Sequence, residues 1–241
     1  MSERRVPGAD LRAALRPAIP RSTSPQVLAD DLVPALMAGR HGTRVVDLGC
    51  GRGDSVDAFR AADPVVRWTG VDLADSEQLA RRAREDAEVV TFDGVHLPFE
   101  DASVDVIFCK QVLEHVEHPR ELLSEVARVL RPDGVLFGST SMLEPYHGWS
   151  IANFTPYGLK RALAGAGLEA TAFVPGIDGF ALIGRRLLRG ARFTDRWWSH
   201  RSPFNALVDG AGRALGWDAE DRTTVKLLFC GHYAFVACRP P

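Results

Sequence analysis

Val45-Val46-Asp47-Leu48-Gly49-Cys50-Gly51-Arg52-Gly53 is the stretch that decides the fold. Two β-branched residues and a leucine make a short buried strand, and it runs straight into three glycines spaced G-x-G-x-G. Glycine lets the backbone turn sharply and lie close to a ligand. Open α/β sheets bind ligands at the carboxyl ends of their strands, so this loop is the first candidate binding element.

Outward from it, short strands alternate with helices. Downstream, the pattern predicts a helix over 54–62, a strand over 68–73, a helix over 76–84, and strands over 88–92 and 104–109. Pro119 then opens a helix whose Leu122, Val126, Val129 and Leu130 share one face at i, i+4, i+7 and i+8. Arg131-Pro132-Asp133-Gly134 stops it before a strand over 135–139. Thr155-Pro156 caps a helix reaching Gly167, followed by a strand over 168–174 and a last one over 227–237. Upstream, Ser24-Pro25 reads as the cap of a helix carrying Leu28, Leu32 and Leu36, kinked at Pro34 and ended by Gly39. Residues 1–23, rich in Arg, Pro and Ala, read as a loosely attached arm.

Strands joined by helical crossovers imply a parallel, Rossmann-like, doubly wound α/β sheet with helices on both faces. The expected organisation is an N-terminal arm and helix (1–40), a binding core (41–175), a helical insertion (176–226) and the last core strand (227–241). The chain of 241 residues is 46% hydrophobic and 25% charged, enough to bury a sizeable core. Its net charge of −2 gives no global attraction to nucleic acid, and no nucleic-acid partner is expected. Four cysteines without a C-x-x-C pair suggest neither a zinc knuckle nor a redox dithiol. With no apolar run of spanning length, a cytoplasmic location is expected.

Acidic residues stand at the ends of three successive strands around the glycine loop. Asp47 can face a cationic ammonium, Asp72 can accept from both hydroxyls of a ribose, and Asp93 can accept from an adenine amino group. Cys50 and Leu73 stand beside them. A nicotinamide dinucleotide is the rival ligand, but its fingerprint is G-x-G-x-x-G, and Asp54 occupies the third-glycine position here. An acid at a helix start repels pyrophosphate, whereas Asp47 suits a positively charged methyl donor.

The block from Phe92-Asp93-Gly94-Val95-His96-Leu97-Pro98-Phe99 to Val106-Ile107, with Val112-Leu113-Glu114-His115-Val116 and Val129-Leu130-Arg131-Pro132-Asp133-Gly134, resembles motifs of class I S-adenosylmethionine-dependent methyltransferases. The likeness is to the branch that includes the ubiquinone and menaquinone methyltransferases and covers residues 44–175. It implies seven strands with the last antiparallel, and S-adenosylmethionine as cofactor. It also implies a cofactor site lined by Asp47, Gly49, Gly51, Asp72, Asp93 and the backbone around Gly94 and Lys110.

On the acceptor side, residues 141–159 carry His147, Trp149 and Tyr157, and resemble methyltransferases of saccharide and natural-product biosynthesis. The expected reaction is methyl transfer to a small-molecule or glycan acceptor at oxygen. The alternative is a non-catalytic S-adenosylmethionine-binding sensor or partner subunit. A hydroxyl acceptor gains from a general base, and His147 is the first candidate, with His115 second. The spacing of Glu114, His115, Glu117 and His118 is compatible with a metal, but no metal site is expected. Arg185, Arg186, Arg189, Arg192, Arg196 and Arg201 surround Trp197 and Trp198. This segment fits either a helix packed over the site or a basic amphipathic contact with a lipid-linked acceptor or membrane surface.

Overall fold

The computed structural model describes residues 6–21, 26–144, 148–190, 196–199 and 202–241. Seven strands, β1 (Arg44–Leu48), β2 (Arg67–Leu73), β3 (Glu88–Phe92), β4 (Val104–Lys110), β5 (Leu130–Ser141), β6 (Glu169–Pro175) and β7 (His232–Cys238), form one sheet in the order β3-β2-β1-β4-β5-β7-β6. β7 runs antiparallel to both its neighbours, and the other pairs are parallel. The sequence order reverses between β1 and β4, which puts the glycine loop at the topological switch point.

Side-chain alternation divides the core. Val45, Val106, Phe108 and Phe137 pack on one face with helices α2 (Val33–Met37) and α3 (Val56–Ala62), where the Phe59, Phe108 and Phe137 rings lie 5.0–6.2 Å apart. Val46, Leu48, Ile107 and Leu136 face the other layer, including α5 (Pro119–Val129) and α6 (Pro156–Gly165). The segment between β6 and β7 is helical, as expected: α7 (Gly179–Leu187), α8 (Arg196–Ser199), α9 (Pro203–Ala214) and α10 (Ala219–Leu228).

Four expectations change. Part of the supposed arm is structural: α1 (Ala9–Leu15) docks on α10, with Leu15, Ala18 and Ile19 buried. Arg12 pairs with Asp218, Glu220 and Asp221 there, and Lys160 donates to the carbonyls of Ala14 and Arg16. The helix expected over 76–84 is one turn, α4 (Glu77–Ala80), with no buried residue. Without an apolar face to bury, it gains no packing energy beyond that turn. Instead, Arg84 donates to Asp57 and the Gly53 carbonyl.

The run Leu227-Leu228 belongs to α10 rather than to the last strand. The Asp218/Asp221 capping box starts that helix, and burial of Val225 and Leu227 carries it on. β5 starts at Leu130, through the supposed turn, with a register irregularity between Val104 and Val106 of β4. The cap proposed at Ser24-Pro25 lies outside the described residues. Leu28 itself precedes a short 3-10 turn, Ala29–Leu32, that leads into α2.

Candidate functional site

The glycine loop turns back under β2. Gly49, Gly51 and Gly53 all hold positive φ, at 70°, 51° and 78°. The Gly49 and Cys50 N–H groups both donate to the Val71 carbonyl, and the Gly51 N–H donates to Asp72 Oδ2 at 2.7 Å. A Cβ on Gly49 would collide with Val112 Cγ2, so only glycine lets the loop pass beneath the segment after β4.

Asp47 lies buried at the end of β1 and accepts from Ser55 Oγ at 2.5 Å; that hydroxyl in turn accepts from Trp68 Nε1. Burial pushes the Asp47 carboxyl up to about 7, against the opposing pull of the Ser55 hydroxyl and the Lys110 ammonium; Asp30 and Asp72 add to the rise. Such a carboxylate is poised to gain from a cation placed beside it. Asp72 is buried at the end of β2. Its Oδ1 accepts from the Leu73 N–H and its Oδ2 from Gly51, which fixes the carboxylate and leaves each oxygen a further lone pair.

The remaining expected residues divide. Leu73 is exposed and lies next to Gly94, whose φ is 94°. Asp93 turns onto its own loop, accepting from the Val95 and His96 N–H groups and engaging His96 Nδ1 at 2.7 Å. The His96 ring and these N–H groups hold its carboxyl well below the ordinary range. Cys50 points into the sheet: a Cβ on Gly70 would lie 2.6 Å from its Sγ, and burial pushes its thiol up to about 12. Its backbone belongs to the loop, but its sulfur does not face the site.

Much of the block after β3 is held by one side chain. Arg128 of α5 donates to the Leu97 and Phe99 carbonyls and pairs with Asp101 and Glu125. That part of the motif is scaffolding for the loop.

Three features are absent from the sequence reading. Lys110 Nζ bonds Asp30 Oδ2 at 2.5 Å, so the N-terminal segment reaches the mouth of the site. Gln111 follows β4 at φ 56°, a conformation uncommon outside glycine. Its amide donates to Ser139 Oγ and accepts from Ser141 Oγ, while the fully buried Glu114 accepts from Thr140 and Ser141. This polar ladder ties the β4 and β5 ends together. Beside it, Glu144 lies between Arg186 of α7 and Nε2 of His232, the first residue of β7. Spacing could suggest none of these contacts, since each joins residues 26–88 positions apart. His147 lies outside the described residues. His115 is half-buried, with Cε1 4.0 Å from where a Cβ on Gly148 would stand. It therefore sits against the loop that carries the first candidate.

Residues 46–138 match the family model described as a methyltransferase domain. An uncharacterized methyltransferase of Mycobacterium avium (strain 104) is 32% identical over 174 residues, covering 65% of this chain and 68% of that protein. The 27-O-demethylrifamycin SV methyltransferase of Amycolatopsis mediterranei (strain S699) is 32% identical over 124 residues, 48% of this chain and 44% of the relative. Among solved structures, geranyl diphosphate C-methyltransferase from Streptomyces coelicolor A3(2) superposes with a TM-score of 0.56 at 19% identity, over 87% of this chain and 78% of that one. At that identity the superposition speaks to fold alone. With the switch-point loop and the acidic strand ends, these matches place the chain in the class I S-adenosylmethionine-dependent methyltransferase family.

Proposed function

We propose that this protein transfers a methyl group to an oxygen of a small-molecule acceptor of the saccharide or natural-product class. The observation that carries the reading is the pair of buried carboxylates, Asp47 and Asp72, flanking a glycine loop at the switch point. Their chemistry fits the cofactor. Asp47 lacks a contacting cation among the described residues and would face the methionine ammonium, and Asp72 has lone pairs left for ribose hydroxyls. Backbone at Gly49, Cys50 and Gly51 would line the methionine end. Leu73 and Gly94 would flank the adenine, with Asp93 at its rim and the Lys110 backbone at the floor.

S-adenosylmethionine, when bound, supplies the electrophilic methyl carbon. The chain supplies alignment, because in-line displacement depends on orientation first. His147 is proposed as the base that takes the acceptor proton, with His115 beside the same loop as the second candidate. Oxygen is supported by the name of the rifamycin relative, which concerns an O-methylation.

The test is calorimetric titration of S-adenosylmethionine into wild type and Asp72→Ala, followed by an acceptor screen that reads S-adenosylhomocysteine release. Strong binding that collapses in the variant, with turnover on hydroxyl compounds lost in His147→Ala, supports the reading. Tight binding with no turnover on any hydroxyl, thiol or amine acceptor would favour the non-catalytic sensor.

A further inference from the structure

The end of the sheet opposite the glycine loop gathers positive charge. Arg67 is the first residue of β2 and Arg131 the second of β5, while Arg40 stands three residues beyond α2. With His41, Gly42, Thr43 and Asp105 they line a cleft of about 310 Å³. The cleft lies at the amino ends of the neighbouring strands β2, β1, β4 and β5, and the length of β1, about 13 Å, separates it from the glycine loop. No hydrophobic side chain is among the lining residues, so a ligand there is held by polar contacts.

The partners of these groups decide what is left for a ligand. Arg131 Nη1 donates to Asp105 Oδ1 at 2.6 Å, and Asp105 Oδ2 accepts from the Arg44 N–H. The carboxylate in the cleft is thereby engaged on both oxygens, and Arg131 is held by it. Asp63, buried behind Thr43, accepts from the Thr43 and Val65 N–H groups, with His41 Nδ1 3.7 Å away. Arg44, the neighbour of Arg67 across β1 and β2, turns onto the Phe99 ring. Arg40 and Arg67 differ from these. Each donates from Nε to a backbone carbonyl, that of Leu36 at 2.9 Å and that of Gly42 at 3.2 Å, and neither meets a carboxylate among the described residues. The Nε bond fixes each guanidinium while its two Nη groups stay available. Two uncompensated guanidinium forks on one cleft repel each other, and an anion between them would relieve that repulsion.

We propose that this cleft binds a phosphate-bearing small molecule, with the Nη groups of Arg40 and Arg67 donating to phosphoryl oxygens. Planar guanidinium forks match the geometry of phosphate, and the charge-assisted bonds they make are the strong ones. A volume of about 310 Å³ falls at the lower end of small-molecule sites, which suits a diphosphate or a phosphorylated metabolite rather than an extended polymer. The net charge of −2 also works against a long polyanion reaching beyond the cleft. The site shares no residue with the Asp47 and Asp72 pocket, so the inference does not depend on which atom is methylated.

The experiment is calorimetric titration of inorganic pyrophosphate and of sulfate into the whole purified chain, at low and high salt. Expected is one pyrophosphate per chain, weakened by salt and bound at least about tenfold more tightly than sulfate. Arg40→Gln/Arg67→Gln should weaken pyrophosphate at least about tenfold with unchanged circular dichroism, because neither guanidinium holds a carboxylate. Arg67→Gln alone should already weaken it severalfold, and Arg120→Gln on the exposed side of α5 should leave it unchanged. S-adenosylmethionine affinity should be the same in every variant. Sulfate bound as tightly as pyrophosphate shows an adventitious ion only and overturns the proposal. So does a wild type that takes up no pyrophosphate at millimolar concentration, a double variant that binds it undiminished, or pyrophosphate that S-adenosylmethionine displaces. A short single-stranded RNA or a phosphoserine peptide that binds this cleft at least about tenfold more tightly than pyrophosphate overturns the small-molecule assignment.

Discussion

Replacing Asp47 with asparagine should make the free protein more stable and the cofactor bind worse. The carboxyl is buried, and its desolvation raises it from an ordinary 3.8 to about 7. The folded state therefore holds this proton more tightly than the unfolded chain. The stability associated with the group is present in full below pH 3.8 and is lost as pH rises through the window from 3.8 to about 7. At about 1.4 kcal/mol per pH unit, the loss above that window comes to a little over about 4 kcal/mol. Asparagine carries no charge and its oxygen can still accept from Ser55, so Asp47→Asn removes most of that penalty.

Urea unfolding of wild type and variant at pH 5 and pH 8 reads the effect. The variant's advantage should grow by about 2–3 kcal/mol between the two, since the wild-type carboxyl is mostly protonated at the lower pH and ionised at the higher. Calorimetry should show the opposite ranking for function. S-adenosylmethionine affinity should fall by about tenfold to a hundredfold in the variant, the worth of a charge-assisted hydrogen bond. In wild type it should rise with pH up to about 7 and then level off. A stability difference that does not change with pH, or a variant that binds the cofactor as well as wild type, would refute the role assigned to this carboxylate.

The other predictions concern single contacts. Gly49→Ala combines positive φ with a clash against Val112 and should cost about 1–3 kcal/mol in denaturant unfolding; adding Val112→Ala should recover the steric part only. Asp72→Ala should lower cofactor affinity at least about tenfold in calorimetry, because it removes the ribose acceptor and the anchor of the Gly51 N–H together. Asp209→Ala should cost about 3 kcal/mol in thermal or urea unfolding, because Lys226 Nζ lies 2.8 Å from its carboxylate with both side chains 1% exposed. The Asp209→Leu/Lys226→Met pair should regain much of that loss, and failure to regain any would show that the ion pair is not what the aspartate supplies.

Local chemistry carried the sequence a long way. Strand β3 falls at 88–92 as read, because flanking polar residues bound a run of β-branched and aromatic side chains. The glycine loop, Asp47 and Asp72 were legible because residue type and strand-end position are both encoded within a few residues of one another. The edges of elements were less so. Leu227-Leu228 reads as the start of the last strand, whereas the cap at Asp218 together with burial of Val225 and Leu227 makes it the end of a helix.

What only the tertiary structure decided is whatever joins distant residues. Residues 1–23 read as a loosely attached arm until Asp218, Glu220 and Asp221, more than two hundred positions on, meet Arg12 of α1. Asp93 was correctly placed at a strand end, yet its carboxylate is taken up by the N–H groups of its own turn, a rotamer choice that spacing does not encode. Asp30 at the mouth of the site, Gln111 with its serines, and Glu144 between Arg186 and His232 carry no local signature at all. Periodicity and propensity are properties of a few neighbouring residues and can be read along the chain. A hydrogen bond between ends of the chain depends on where the packed sheet leaves two side chains in space, and that is determined only when the whole core has closed.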